Sequence, residues 1–485
     1  MPAEVFIISD LHVGGEYGRD PQARGFRINT RVKELTGFVN DVRLRAKQTH
    51  LETELVINGD FVDFLAEKSS DEKQPWRAFI SDEAEAVDAL SRIVERDQSL
   101  FTSIGELIRS GVSLTLLLGN HDLELSFPAV RQELRRHLGI GRSHPFQFIH
   151  DGEAYAIGEV LIEHGNRNDG WNTVDFDALR RRRSIASRHI PLYPDAQFYP
   201  PAGSSLVQQV MNPIKEDYPF IDLLKPESEA AIPLLLALEP GFARDIDRIE
   251  ELVRLRSAAG EHVPRAPAIP SHVGDIGSGG WKRESPPGAV VEILERRLNG
   301  AARSQMLALI AEAEEEQRQT ARQIAAGGFR RALSFARMLF TSDWTKRLPS
   351  LLDGFQQIQS ERLFGRAEET DPLYFDAASE LARGGFSTVV FGHTHYAKDL
   401  ELNGGGKYLN TGTWADRMRL PDEVISGSNE QALSSLQKFA EAIREKDFKE
   451  YIEFEPTFAY VRLNAAGGVQ AAVIRDYKKG AVAEL

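Results

Sequence analysis

The sequence predicts a layered α/β fold interrupted by a large, mostly helical insertion, and three observations point there. Short, continuous apolar runs recur and each leads into Asp, Asn, Glu or His. Apolar residues at helical spacing fill the gaps between them. From about residue 171 to residue 384 the rhythm of runs stops. Continuous apolar runs suit strands buried on both faces. Polar residues at their C-terminal ends sit where open α/β sheets place ligand sites.

Taken in order, Val5 to Ile8 runs into Asp10 and His12, and Leu55 to Ile57 runs into Asn58, Gly59 and Asp60. Leu114 to Leu118 runs into Gly119, Asn120, His121 and Asp122, and Val160 to Ile162 runs into Glu163 and His164. Much later, Thr388 to Phe391 runs into Gly392, His393, Thr394 and His395. Arg31 to Lys47 and Asp82 to Ser110 read as helices between the early strands. Lys407 to Leu409, Phe458 to Leu463 and Val469 to Arg475 read as late strands, with a helix at Ser434 to Tyr451.

The domain reading follows. Residues 1–170 form the first part of a core, 171–384 a helical insertion or cap with a flexible linker near 257–288, and 385–485 the second part of the core. In the insertion, Arg180 to Arg183, Ala230 to Arg256, Val290 to Leu298 and Ala301 to Leu339 read as helical. Gly, Pro and Ser dominate the linker.

Composition narrows the class. The 485 residues are 42% hydrophobic and 27% charged, which reads as soluble and globular. With 58 Lys and Arg against 72 Asp and Glu, the net charge is −14. That argues against a broad cationic surface coating nucleic acid, and leaves a local basic groove open. There is no cysteine, so disulfides and thiolate metal sites are excluded. Any metal must be held by His, Asp, Glu or Asn. Met1 to Glu4 lacks the basic start of a signal peptide, and the expected location is cytoplasmic. No run reaches the roughly 18 apolar residues of a membrane span. Peripheral membrane contact stays open.

The strand-end clusters carry the chemistry. Alternate residues of an extended segment point the same way, so Asp10 with His12, and His393 with His395, are each expected to face one ion together. Gly59 and Gly392 are expected to allow unusual backbone angles where strand turns to loop. Asp60 has two oxygens with which to bridge two cations, and imidazole and amide groups complete shells for borderline metals.

The set Asp10-x-His12, Gly59-Asp60-x-x-Asp63, Gly119-Asn120-His121-Asp122, His164 and Gly392-His393-Thr394-His395 resembles the calcineurin-like metallophosphoesterase superfamily. The resemblance covers roughly residues 3–170 and 385–415, including Asn410 to Thr413. It implies an α/β sandwich of two sheets flanked by helices, with metals at the sheet ends. It also implies two divalent ions. Mn²⁺ is the first expectation, and mixed O/N ligation admits Fe or Zn. Asp10, His12, Asp60 and His395 would hold one ion, and Asp60, Asn120, His164 and His393 the other. A metal-bridging hydroxide would attack a phosphodiester or pyrophosphate. His121 would serve as general acid, Asp122 would orient it, and Asp63 would stand behind a ligand histidine.

Glu163 to Asp169 is similar to the histidine motif of bacterial UDP-2,3-diacylglucosamine pyrophosphohydrolases, although those enzymes carry Arg where this chain has His121. The expected substrate is a phosphorylated small molecule or nucleotide. Arg167 is a candidate phosphate contact. The run Arg180 to Arg183, with Arg188 and His189, raises the alternative of a nuclease. Trp171, Phe176, Tyr193, Phe198 and Tyr199 offer faces for a base or for packing. A non-catalytic scaffold predicts missing ligands, yet every expected ligand type is present.

Overall fold

The computed structural model describes residues 2–16, 26–69, 71–188, 197–215, 218–224, 234, 344–355, 365–369, 371–479 and 482. Apart from Leu234, the helices expected at Ala230 to Arg256, Val290 to Leu298 and Ala301 to Leu339, and the linker at 257–288, lie outside these residues.

The chain divides into two compact units. The first comprises Met1–Leu223, Ser360–Met418 and Ile452–Leu485 and holds two multi-stranded sheets. In one sheet, β1 (Glu4–Ile8), β2 (Thr53–Asn58), β3 (Ser113–Leu117) and β4 (Phe146–Ile149) run parallel. The antiparallel strands β12 (Thr457–Leu463) and β13 (Val469–Asp476) extend its other edge, giving the order β13-β12-β1-β2-β3-β4. The other sheet contains β5 (Tyr155–Ile157), β6 (Val160–Ile162), β7 (Thr388–Phe391), β8 (Ala397–Glu401) and β9 (Lys407–Thr411). Its order is β5-β6-β7-β9-β8, with β6, β7 and β9 parallel. A short ribbon pairs β10 (Arg417–Met418) with β11 (Ile452–Glu453).

Alternation along the strands builds the layers. Phe6, Ile8, Leu55, Ile57, Leu114 and Leu116 face a helical layer. That layer is α1 (Val32–Thr49), α2 (Glu83–Arg96), α3 (Gln98–Arg109) and α4 (Pro128–Leu138). Val5, Ile7, Val56 and Leu117 face the opposite way and share an apolar cluster with Ile157, Val160, Ile162, Val390 and Leu409 of the second sheet. Beyond that sheet, Val389, Phe391 and Tyr408 pack with Tyr374 and Ala378 of helix Pro372–Arg383. Every residue of β1 and β2 is buried, as the unbroken apolar runs predict.

Some expectations need correction. The helix expected over Asp82 to Ser110 is two helices that break at Asp97, whose carboxylate takes two hydrogen bonds from the Arg27 guanidinium at 2.8 and 2.9 Å. The edge strands β4 and β8 are only partly buried, so they leave no continuous apolar run to read.

The compact units are grouped as follows. Residues 171–223 group with the first unit. Val174, Leu179 and Phe198 bury against Leu123, and Asn212 Nδ2 donates to the Leu65 carbonyl at 2.7 Å. The second unit comprises Leu224–Gln359 and Arg419–Tyr451. Its helix Asn429–Arg444 starts ahead of the expected Ser434 because Ser428 and Gln431 form a capping box. Among the described residues, no helix is long and apolar enough to cross a membrane.

Candidate metal centre

Each sequence-predicted ligand lies just beyond the C-terminal end of a parallel strand. Asp10 and His12 follow β1, Asp60 follows β2, Asn120 follows β3, His164 follows β6, and His393 and His395 follow β7. The two sheets therefore bring residues from both parts of the core to one place.

The local backbone is not the extended one expected. Asp10, His12, Asp60, His393 and His395 have φ of 53°, 42°, 48°, 69° and 63°. Strand alternation therefore does not aim these side chains; left-handed turns do. Among the described non-glycine residues only His50 and Lys446 share this conformation. It costs energy for L-residues and concentrates at functional sites.

Glycines make the room. Gly59 has φ +82°, as expected. Gly392 serves a different need from the one expected: a Cβ there would meet Ser9 Oγ at 2.4 Å and Asp10 Oδ2 at 2.7 Å. At Gly119 it would meet Asp60 Oδ1 at 2.0 Å.

Three overlapping groups of ligand atoms result, each with its atoms within 4.8 Å of one another: Asp10, His12 and His395; His12, Asp60 and His121; Asp60, His164 and His393. His12 is shared by the first and second groups, and Asp60 by the second and third. Asp60 Oδ2 lies 3.7 Å from His12 Nε2 and 3.3 Å from His164 Nε2, while its Oδ1 accepts from the His121 backbone N–H at 2.8 Å. His12 Nε2 and His395 Nε2 are 3.1 Å apart, and His395 Nε2 lies 3.4 Å from Asp10 Oδ1. Asp10 Oδ2 accepts from the His393 N–H at 2.9 Å and from Ser9 Oγ. Thr413 Oγ1 donates to the Asp10 carbonyl at 2.8 Å.

The donor set fits cations. Asp10 Oδ1, Asn120 Oδ1 and His164 Nε2 are buried without a hydrogen bond among the described residues. Orphaned buried polar atoms are costly unless something binds them.

Electrostatics agree. Burial disfavours charge on Asp10, but the adjacent His395 and the charge of His164 outweigh it and bring Asp10 to about 2. Asp60 is likewise buried, yet His164 and His121 hold it well below the carboxylate range. Burial pulls the other way on His164, but Asp60 and Asp10 raise it to about 10. Anionic oxygens and imidazoles packed this closely hold protons that a divalent cation would displace.

His121 is placed differently from the expectation. Asp122 does not orient it. The Asp122 carboxylate accepts from the backbone N–H groups of Gly119 and Phe61, both at 2.8 Å, and so closes the turn itself. Burial and the nearby Asp60 raise Asp122 to about 7. The partner of His121 is Asp63, with Nδ1 to Oδ1 at 3.2 Å. Asp63 Oδ1 also accepts from Ala66 N at the start of a short 3-10 turn, and Asp63 Oδ2 lies 3.4 Å from His12 Nδ1. One carboxylate thus lies beside both His12 and His121. Burial lowers His121, but Asp63 and Asp60 raise it to about 9.

The substrate candidates fare unevenly. Arg167 is exposed and pairs with Glu163 at 3.2 Å. In the arginine run on α5 (Phe176–Ala186), Arg183 donates to the carbonyls of Ser126 and His150, and Arg182 to that of Ser81. Phe198 is buried against Phe79, whereas Tyr199 is 71% exposed. His189 and Tyr193 lie outside the described residues.

Sequence reasoning assigned no role to Asp169 and Asn172. Asp169 Oδ2 lies 3.0 Å from His393 Nε2, and Asn172 Oδ1 accepts from Asn120 Nδ2 at 3.3 Å. The available signal was the Asp169-Gly170 turn pair close behind His164. A scan against protein-family models and a search of curated proteins each found no match to this chain.

Proposed function

We propose that this chain is a dinuclear metal-dependent phosphoesterase of the calcineurin-like metallophosphoesterase superfamily, hydrolysing a phosphodiester or pyrophosphate bond in a small phosphorylated or nucleotide substrate. The observation that carries this reading is the convergence of side chains from five strand ends around Asp60, with Asp10 Oδ1, Asn120 Oδ1 and His164 Nε2 buried there without a hydrogen bond among the described residues. Two sheets sharing one apolar layer, with helices outside, support the sandwich that goes with that superfamily. Asp10, His12, Asp60 and His395 would hold one ion, and Asp60, Asn120, His164 and His393 the other. Divalent ions there would supply Lewis acidity at phosphoryl oxygens and an acidified water.

The chain's own groups divide the remaining work. The His12, Asp60 and His164 side chains are no more than 2% exposed and exclude bulk water. The His121 side chain, at 21%, keeps some exposure to solvent. With Nδ1 tied to Asp63, Nε2 is the nitrogen positioned to give a proton to a leaving oxygen. Asp122 holds the Gly119 to His121 turn that aims both Asn120 and His121. Arg182 and Arg183 donate to backbone carbonyls, which takes two arginines out of the cationic strip that the nuclease reading needs, while Arg180, Arg181 and Arg188 stay exposed.

The test is hydrolysis by metal-stripped protein reloaded with Mn²⁺, Fe²⁺ or Zn²⁺. Substrates are bis-p-nitrophenyl phosphate, p-nitrophenyl phosphate, nucleotide anhydrides, DNA and RNA. Turnover of the diester or anhydride, abolished by Asp60→Ala with the fold retained, is the expected result. Inactivity with every metal, or full activity of Asp60→Ala, would overturn the proposal.

A further inference from the structure

We propose that the turn from Asn166 to Thr173 is a positioning device: Asp169 holds His393 and Asn172 holds Asn120, so this turn sets the geometry of one ion's ligands. The inference rests on the metal-centre reading above.

The bonds form a continuous chain. Asn120 Nδ2 donates to Asn172 Oδ1 at 3.3 Å, Asn172 Nδ2 donates to Asp169 Oδ2 at 2.7 Å, and that oxygen lies 3.0 Å from His393 Nε2. The two ends of the chain are the two ligands assigned, with His164 and Asp60, to the same ion.

Each end has a chemical consequence. Fixing Asn120 by its nitrogen leaves Oδ1, buried and without a hydrogen bond among the described residues, as the free donor. A carboxylate on Nε2 fixes the proton of His393 there, so the lone pair stays on Nδ1. Carboxylates that hold a ligand histidine in this way set its tautomer and ring orientation.

The turn is itself braced. Asp169 Oδ1 accepts from the Trp171 N–H at 2.9 Å, the Asp169 carbonyl accepts from Thr173 Oγ1 at 2.9 Å, and Asn166 Nδ2 donates to the Asn172 carbonyl at 2.8 Å. Helix Ala202–Leu206 then presses on it. Gly203 N–H donates to the Trp171 carbonyl at 2.8 Å, and a Cβ on Gly203 would meet Asn172 Oδ1 at 2.3 Å. A methyl group there would therefore push on the chain without touching any ligand.

The test is a calorimetric Mn²⁺ titration of metal-stripped protein, with the electron paramagnetic resonance signal of the product. Wild type is expected to take two ions and give a spin-coupled signal. Asp169→Ala and Asn172→Ala are each expected to weaken one of the two binding steps by about 10–100-fold, leave the other unchanged, and give an uncoupled Mn²⁺ signal at one equivalent. Asp169→Asn keeps the volume and an acceptor, and is expected to lose less than Asp169→Ala. Gly203→Ala is expected to weaken the same step, and keeps the test valid if an Asp169 variant does not fold.

Two tight sites with a coupled signal in Asn172→Ala, in Gly203→Ala and in a folded Asp169 variant would overturn the inference while leaving the metal centre standing. Equal weakening of both steps would also overturn it. No Mn²⁺ uptake by wild type, or uptake unaffected by His164→Ala, would overturn the metal-centre reading and the inference with it.

Discussion

His121 Nδ1 lies 3.2 Å from Asp63 Oδ1, and the same carboxylate reaches to 3.4 Å of His12 Nδ1. His121 and Asp63 are thus expected to act as one unit. Asp63→Asn and His121→Ala should each lower turnover by about 10²–10⁴-fold, the usual worth of a positioned proton donor. The double variant should fall little further, because residues that act together are not additive. Kinetics of the two singles and the double check this. Losses that multiply would separate the two residues.

Gly119 is expected to accept no side chain. An added Cβ would sit 2.0 Å from Asp60 Oδ1 and 2.5 Å from Asp60 N, and the latter is backbone. Gly119→Ala should displace the residue shared by the two proposed ion sites and weaken uptake of both ions. Gly111→Ala is the contrast. Its φ is +97° with nothing within 4 Å, so it should cost about 1–2 kcal/mol of stability and leave metal uptake unchanged. Metal titration beside denaturant unfolding distinguishes the two.

Glu124 sets a pH dependence of stability. Burial is the main cause that raises it from 4.5 to about 8, opposed by the Ile80 N–H that it accepts. Between those values the folded protein keeps a proton that the unfolded chain releases. The contribution is therefore complete below the unfolded value and is lost as pH rises through about 8. Glu124→Gln keeps the acceptor for Ile80 and removes the titration. Unfolding midpoints taken at about pH 5 and about pH 9 should fall more steeply for wild type than for Glu124→Gln. Parallel slopes would contradict this account.

Arg183 is expected to matter for the fold. Arg183→Met leaves the carbonyls of Ser126 and His150 without their donor, at a cost of about 1–3 kcal/mol, and should not change turnover of a small diester. Denaturant unfolding and steady-state rates check both halves. A variant as stable as wild type but slower would return the arginine run to a substrate role.

Much of the architecture was legible because its signals are local. The unbroken apolar runs at Val5 to Ile8 and Leu55 to Ile57 are strands buried on both faces. The polar residues behind them meet at one site because parallel strands end on the same side. What escaped depends on distant partners. Asp97 breaks a helix to receive Arg27. Asp122 looks like a partner for its neighbour His121 in sequence, but turns instead to Phe61 and Gly119. Asp169 and Asn172 drew no role from the sequence, and only the fold brings them beside His393 and Asn120. The capping box at Ser428 and Gln431 was present as a local pattern and would have placed the helix start correctly.

The left-handed backbone at Asp10, His12, Asp60, His393 and His395 sets thermal robustness against turnover at these positions. Glycine or asparagine would relax each turn, and under the proposed function Asp and His are expected to stay there for their ligand atoms. A randomised library of this chain sorted for folding alone would drift toward Gly and Asn at these five positions, and the same library sorted for hydrolysis would hold them fixed.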